Sequence, residues 1–208
     1  MKKFELISEF VTNVFGKKLF RIKALVSFGD VSAGELGGFV EKEENLSNNG
    51  NAWVSGNALV SGNARVSGDA LVSGNAQVSD NAWVSGNAWV SGNALVSGNA
   101  WVSGDALVSG NAQVSDNARV SGNAQVSGDA DFSVVTGFGR CFRATTFFRC
   151  KDKILRVQCG CFYGDLAKFR EIVKKTHGDS KYAKEYIAIA DLMELHFSDE
   201  EENQEADK

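Results

Sequence analysis

The sequence predicts a mainly β protein built around a parallel β-solenoid, and one repeated motif carries this prediction. The motif is Asn or Asp, then Ala, a variable residue, Val, Ser, and Gly or Asp. It occurs thirteen times without interruption from Asn51 to Gly128. Residues 51–86 and 87–122 are identical at 34 of 36 positions, with the differences at Arg65 against Trp101 and Trp83 against Arg119. Apolar residues at a period of six do not form a helical stripe, which excludes helices and coiled coils here.

The spacing within each motif predicts a short strand followed by a corner. Ala and Val lie two residues apart, so both side chains point to the same face of an extended strand and the variable residue points to the other. Gly supplies the positive φ that the corner needs, and Asp80 and Asp116, which replace it twice, tolerate that conformation better than most residues. We therefore expect strands of about four residues, three strands per 18-residue coil, and coils stacked about 4.8 Å apart around an Ala and Val interior.

The segments on both sides of the repeat carry a family resemblance. They include 18–25, Phe28-Gly29-Asp30-Val31, 34–41 and 44–47 before the repeat, and 159–162, Thr176-His177-Gly178-Asp179 and 182–186 after it. Together with the repeat they resemble a family of hexapeptide-repeat proteins common in phages and prophages. The resemblance implies a left-handed parallel β-helix and a phage or prophage context.

Four regions are predicted along the chain. They are an N-terminal β cap (1–50), the hexapeptide-repeat β-helix (51–134), a C-terminal α+β cap (135–197) and an acidic disordered tail (198–208). Caps are expected because open strand edges at the ends of a solenoid template aggregation. In the caps we predict hairpins from strands at 4–9 with 19–25 and 143–149 with 154–162, and helices near 165–176 and 181–195 with Asp165 and Ser180 as N-caps.

The variable residues of the repeat point outward and fall into three columns, because every 18th residue stacks. The columns are Trp53, Leu71, Trp89, Leu107 and Gln125; Leu59, Gln77, Leu95, Gln113 and Asp131; and Arg65, Trp83, Trp101 and Arg119. An apolar stripe as large as the first column is seldom left exposed in a monomer. We therefore predict a homo-oligomer, with a trimer favoured as in relatives of this fold, whose interface includes Trp53, Leu71, Trp89, Leu107, Leu59 and Leu95. The alternative is that these side chains only shield the Ser ladders.

The third column is the predicted ligand or partner site. An Arg-Trp-Trp-Arg strip can stack a base or another ring while an arginine pairs with its phosphate. The alternatives are internal Arg–Trp stacking or a subunit contact. A second candidate is the basic stretch that contains Arg143, Arg149, Lys151 and Arg156, which suits phosphate or an acidic partner but also resembles the wet face of a hairpin.

No arrangement that would support catalysis is evident. A hexapeptide acyltransferase needs a histidine base beside the solenoid, whereas His177 and His196 both fall in the C-terminal cap. The cysteines, Cys141, Cys150, Cys159 and Cys161, lack the spacing of a zinc site and are expected as reduced thiols, so no metal or cofactor is predicted. The absence of a signal peptide or membrane segment indicates a cytoplasmic protein, in the host cell if it is phage-encoded.

The predicted function is that of a non-catalytic oligomeric binding protein. In a phage context, such a protein would bind or sequester a host protein or a small anionic or nucleotide ligand to counter host defence. No segment is basic enough to favour nucleic acid. The alternatives are a structural scaffold or filament and, with less support, an acyltransferase.

Overall fold

A computed structural model describes residues 2–128, 131–150 and 152–198 and shows a β-solenoid with two helices near its C-terminal end. An N-terminal segment contributes strands β1 (Phe4–Thr12), β2 (Lys18–Ala24) and β3 (Leu36–Val40) and a 3-10 helix at Glu43–Asn45. The solenoid strands are β4 (Trp53–Val54), β5 (Leu59–Val60), β6 (Arg65–Val66), β7 (Leu71–Val72), β8 (Gln77–Val78), β9 (Trp83–Val84), β10 (Trp89–Val90), β11 (Leu95–Val96), β12 (Trp101–Val102), β13 (Leu107–Val108), β14 (Gln113–Val114), β15 (Arg119–Val120) and β16 (Gln125–Val126). Each strand is two residues long, shorter than the predicted four, and comprises the variable residue and Val, while a two-residue turn is separated from the strands by Ser on one side and Ala on the other.

Each strand from β4 to β13 pairs in parallel with the strand 18 residues further along the chain. Three sheets result, with the orders β4-β7-β10-β13-β16, β1-β2-β3-β5-β8-β11-β14 and β6-β9-β12-β15. Within each sheet the variable residues of successive coils are in register. The three sets are Trp53, Leu71, Trp89, Leu107 and Gln125; Leu59, Gln77, Leu95 and Gln113; and Arg65, Trp83, Trp101 and Arg119. The predicted register of the columns is therefore confirmed, except for Asp131.

The interior of the solenoid contains the side chains that the period predicts. Every Ala and Val of the thirteen motifs is at most 1% exposed. At the corners, side chains of asparagines in successive coils bond to each other, as in the ladder from Asn57 through Asn75 and Asn93 to Asn111 with N–O distances of 3.1–3.3 Å. Asp80 and Asp116 adopt φ values of 59° and 58°, as the corner position requires.

Carbonyl groups at the open edge of the first coil accept hydrogen bonds from donors in the N-terminal segment. Inside the solenoid, the Ala and Val carbonyls of a coil accept N–H groups of the preceding coil, as Ala70 O accepts the Trp53 N–H, so the corresponding carbonyls of the first coil need donors from elsewhere. The buried Lys3 ammonium donates to Ala52 O at 2.8 Å, and the buried Asn45 amide donates to Ala64 O at 2.8 Å. Burial lowers the pKa of Lys3 to about 8, and the Asp69 carboxylate opposes that shift. Strand β3 continues the same pattern beside β5.

The last coil has N–H groups that no following coil can accept. Thr146 Oγ1 accepts the Arg119 N–H at 3.1 Å, and the Asp131 carboxylate accepts those of Ser127 and Gly128. Asp131 therefore terminates the solenoid instead of extending the second column. Beyond Asp131, β17 (Phe132–Val135), whose first three residues lie within the predicted β-helix segment 51–134, joins an antiparallel sheet with β18 (Thr145–Arg149), β19 (Leu155–Cys159) and β20 (Phe162–Asp165). Residues 129 and 130 lie outside the described residues.

Two helices pack against the face of this antiparallel sheet that points away from the solenoid. They are α1 (Leu166–His177) and α2 (Lys181–His196), with Asp165 and Ser180 accepting the N–H groups of Lys168 and Ala183 as N-caps. Phe147 belongs to the core shared with the helices, whereas its neighbour Phe148 belongs to the solenoid core. The predicted acidic tail from 199 onward lies outside the described residues.

Candidate functional site

The two tryptophans of the third column form a stack on one outer face of the solenoid. The rings of Trp83 and Trp101 lie 5.2 Å apart between centroids with an interplanar angle of 5°. The Arg119 guanidinium lies over the Trp101 ring, 5.3 Å from its centroid. We call Arg65, Trp83, Trp101 and Arg119 the indole column. Because one neighbour of Trp101 is an indole and the other a guanidinium, this ring already has two stacking partners.

Hydrogen bonds to serines hold the indoles in these positions. Trp83 Nε1 donates to Ser67 Oγ at 2.9 Å and Trp101 Nε1 donates to Ser85 Oγ at 3.3 Å. Each serine lies sixteen residues earlier, so each ring leans toward the preceding coil. Trp89 on another face repeats the contact with Ser73 at 3.0 Å. The repeat therefore orients its tryptophans without help from a partner or ligand.

A surface cavity of about 430 Å³ lies at the Trp83 end of the column. Trp83, Ser67 and Arg65 line it from the solenoid. The N-terminal segment completes the lining with Glu43, Glu44, Leu46, Ser47 and Asn48. Arg65 is exposed and forms no ion pair or ring contact among the described residues, so the predicted Arg65–Trp83 stacking is not seen. Trp83, 43% exposed, therefore presents its open side to a cavity that also contains the guanidinium of Arg65.

The acidic residues of the cavity differ in their pairing. Glu43 forms an ion pair with Lys2 at 2.6 Å, which offsets its charge. Glu44 is exposed and forms no ion pair in the part of the chain that the structure describes. A carboxylate there can accept hydrogen bonds from amino or hydroxyl groups while Arg65 attracts an anion. The cavity thus combines a stacking surface with groups of both charges.

The opposite end of the column is smaller and more constrained. A cavity of about 200 Å³ lies between Trp101, Ser103, Arg119, Ser121 and Gln158. The Ser121 hydroxyl donates to Gln158 at 3.0 Å, and Arg119 already covers Trp101. This end therefore has less space and fewer unoccupied groups than the Trp83 end.

The predicted subunit interface needs one correction. Trp53 is only 3% exposed, because residues of the N-terminal segment cover it. The Phe28 ring packs edge-on against the indole with 5.4 Å between ring centroids, and Gly37 lies against the same indole. The position sixteen residues before Trp53 is Gly37 instead of a serine, and Trp53 Nε1 has no hydrogen-bond partner among the described residues. The other five predicted positions remain at the surface, with Leu71 41% and Trp89 49% exposed and Leu107, Leu59 and Leu95 partly buried.

The predicted basic surface is divided. Arg149 pairs in register with Leu155 and Arg156 with Phe148, so the two arginines lie on opposite faces of the sheet. Arg149 donates to the Phe197 carbonyl at 2.7 Å, and Arg156 binds the Asp152 carboxylate through two bonds of 2.7 and 2.6 Å. Arg143 lies apart, in a cavity beside the helices. Lys151 is outside the described residues.

Neither the cysteines nor the histidines form a recognisable catalytic or metal site. All four cysteines are free thiols, and the described residues contain no cluster of three or more potential metal-binding side chains. His177 ends α1 and packs on Tyr186, and His196 ends α2 beside Phe197. No helix in the described part of the chain has both the length and the hydrophobicity needed to cross a membrane.

Sequence reasoning identified the indole column but missed most of the large cavity. Glu43, Glu44, Leu46, Ser47 and Asn48 come from the irregular segment before the repeat, where no period predicts which residue lies beside which coil. The one available signal was the Glu44-Asn45-Leu46-Ser47 segment, which resembles a degenerate motif and indeed places Leu46 beside Val66.

Comparison with known proteins supports the repeat architecture. The model of the YdcK β-solenoid repeat matches residues 52–68, 64–77, 76–92, 88–104 and 112–128. All five matches fall within the solenoid. A comparison with curated proteins finds no match. This chain is therefore a repeat β-solenoid protein whose coils are similar to the YdcK β-solenoid repeat.

Proposed function

We propose that this protein is a non-catalytic binding protein that holds a planar anionic ligand, of the nucleotide class, against Trp83. The observation that carries this role is the open side of the Trp83 ring beside the unpaired Arg65 in a cavity of about 430 Å³. Stacking on an aromatic side chain contributes about 1–3 kcal/mol per base. A phosphate bound to Arg65 would add a charge-assisted hydrogen bond.

The remaining cavity residues favour a nucleotide over a simple anion. Ser47, Asn48 and Glu44 offer hydroxyl, amide and carboxylate groups that can bond to the edge of a base or to a ribose. An inorganic anion would bind only Arg65, whereas a nucleotide would also contact Trp83 and these polar groups. A nucleotide whose base extends the Trp101–Trp83 stack and whose phosphate binds Arg65 could contact the aromatic, the basic and the polar side chains of the cavity.

The test compares AMP with adenosine by calorimetry. We expect Trp83→Ala to weaken the binding of both by tenfold to a hundredfold, because both lose the stacking surface. Arg65→Gln should weaken AMP by about tenfold and leave adenosine unchanged, because only AMP carries the phosphate.

Two variants serve as matched controls. Trp89→Ala removes a similarly exposed indole with the same serine contact from the first column, and the cavity at Trp83 lies within one chain, so loss of a subunit contact at Trp89 would leave it in place. Arg119→Gln removes the arginine at the other end of the indole column. Both should bind AMP like the unaltered chain. No measurable binding by the unaltered chain, or equal losses in Trp83→Ala and Trp89→Ala, would rule out the assignment.

The biological setting of this binding role is also part of what we propose. The resemblance to phage and prophage hexapeptide-repeat proteins favours a left-handed coil and a cytoplasmic protein that sequesters a host signal nucleotide to counter defence. A host protein is the alternative partner for the same face, and it would be identified by pull-down from infected cells. Catalysis is not included, since no histidine lies beside the indole column.

We further propose that the chain forms a closed trimer through the first column. Leu71 and Trp89 are adjacent in register and together leave an exposed apolar strip next to the partly buried Leu107. Leu71→Asp is expected to shift the native mass from trimer to monomer, since the carboxylate would be desolvated in the interface. Gln77→Asp adds the same charge on another face and should leave the mass unchanged. A monomer in the unaltered chain at micromolar concentration would exclude the trimer.

A structural filament is the second candidate, and the ends of the solenoid argue against it. Donors from the N-terminal segment and acceptors from the C-terminal segment already occupy strand-edge groups of the first and last coils. End-to-end stacking would require these bonds to break. An open series of masses in native mass spectrometry would favour the filament.

A further inference from the structure

A second cavity, distinct from the indole column, lies in the C-terminal segment and has a volume of about 230 Å³. Four pieces of chain enclose it: the loop before β18, the turn between β19 and β20, helix α1 and helix α2. Its residues are Arg140, Cys141, Arg143, Cys159, Cys161, Phe162, Phe169, Ile172, Val173, Thr176, His177 and Tyr186.

The lining is apolar, with positive charge and no acid. Phe162, Phe169, Ile172 and Val173 supply aromatic and aliphatic surface. Ile172 is 40% exposed. None of the twelve described lining residues is an aspartate or glutamate. The cavity therefore complements an apolar group that carries a negative charge.

The arginines of this cavity are available to a ligand. Neither Arg140 nor Arg143 forms an ion pair or a hydrogen bond within the described residues, in contrast to Arg149 and Arg156 on the adjoining strands. Arg143 extends across Gly160, where a Cβ would lie 2.7 Å from its Nη1, so the absence of a side chain there makes room for the guanidinium. An exposed arginine without an acidic partner is a ready site for a carboxylate.

Tyr186 adds a hydrogen-bonding group to the same cavity. Burial and the neighbouring Cys159 thiol raise the pKa of Tyr186 to about 12, and the charge of Arg143 acts in the opposite direction. The phenol therefore stays protonated at neutral pH and can donate. Gly139 permits this placement, because a side chain there would collide with the Tyr186 hydroxyl. The Gly139 N–H is in turn held by Glu185 at 2.9 Å, which fixes the loop that carries Arg140 and Arg143.

We propose that this cavity binds a small aromatic carboxylate, with its ring against Phe162, Phe169 and Ile172 and its carboxylate on Arg143. The site is separate from the indole column, so the proposal can be tested independently of the nucleotide-binding role.

The probe is naphthalene-2-carboxylate, and its neutral isostere naphthalene-2-carboxamide serves as the comparison. Titration calorimetry is carried out on the full chain with Trp83→Ala, which removes the ring on which the proposed nucleotide site depends. We expect one carboxylate per chain and an affinity for the amide that is at least about tenfold lower, because the amide cannot form the charge-assisted bond.

Three variants locate the site. Arg143→Gln should lower the affinity for the carboxylate to that for the amide and leave the amide unaffected. Thr176→Trp places a large ring in the cavity from an exposed position of α1, so it should abolish binding of both probes without disturbing the core. Lys175→Gln, a charge change at the adjacent exposed residue outside the lining, should have no effect. Circular dichroism checks that each variant is folded.

Equal affinities for the carboxylate and the amide would overturn the proposal. So would a folded Thr176→Trp variant that binds as the unaltered chain does. Retention of naphthalene-2-carboxylate binding alongside failure of AMP binding would leave this site standing while excluding the nucleotide role.

Discussion

Val78→Asp is expected to abolish folding of the solenoid. Val78 is fully buried in the middle of the stack, and its neighbours in the coils before and after are Val60 and Val96. Burying a carboxylate among aliphatic side chains with no partner costs several kcal/mol, and the lost Val burial adds about 2 kcal/mol. The sum is comparable with the whole stability of an ordinary domain, about 5–15 kcal/mol. Circular dichroism and proteolysis would report the loss of structure.

Gln77→Asp provides the control for this effect. It introduces the same carboxylate one residue earlier, on a side chain that points to solvent. We expect a change in unfolding free energy below about 0.5 kcal/mol, as for other surface substitutions. If the two variants were equally stable, the alternation of inward and outward residues would be wrong, and the columns would not exist as described.

Asn45→Asp is expected to destabilise the N-terminal end of the solenoid by about 3–5 kcal/mol. Asn45 is fully buried, and its Nδ2 donates to the carbonyls of Ala64 and Gly62 at 2.8 and 3.2 Å. Aspartate has nearly the same shape but replaces this donor with a buried acceptor that faces two carbonyl oxygens. Such an unpaired buried charge is among the most costly single changes. Chemical denaturation would measure the loss.

The same substitution at Asn48, three residues later, is the matched control. The exposed Asn48 uses only its Oδ1, which accepts the Lys3 N–H at 2.8 Å. Aspartate keeps that acceptor, so Asn48→Asp should be nearly neutral. Equal tolerance of both changes would contradict the view that the first coil depends on donors from the N-terminal segment.

The repeat made the solenoid predictable at the level of single residues. A period of six with Ala and Val two apart places both in the interior, and a coil of 18 residues then fixes which side chains are neighbours on the outside. Trp83 and Trp101 were expected in one column for this reason, and they stack in it. Helix N-caps at Asp165 and Ser180 were also recognisable, because their side-chain chemistry acts locally.

Features that depend on contacts between distant segments were not predictable. Trp53 has the same motif as Trp89, yet it is buried because Phe28 and Gly37 cover it. Arg149 and Arg156 are close in sequence but face opposite sides of a sheet whose register the sequence did not fix. Thr146 and Asp131 terminate the last coil by accepting backbone N–H hydrogen bonds, which the repeat pattern does not predict.

The most direct test of the central claim is an AMP titration followed through the indole N–H resonances of the four tryptophans. The open ring of Trp83 beside Arg65 predicts the largest shift at Trp83, a smaller one at the stacked Trp101, and none at Trp53 or Trp89. Shifts of similar size at Trp89, or no change at Trp83 when AMP is in large excess, would contradict the assignment of the binding site to the indole column.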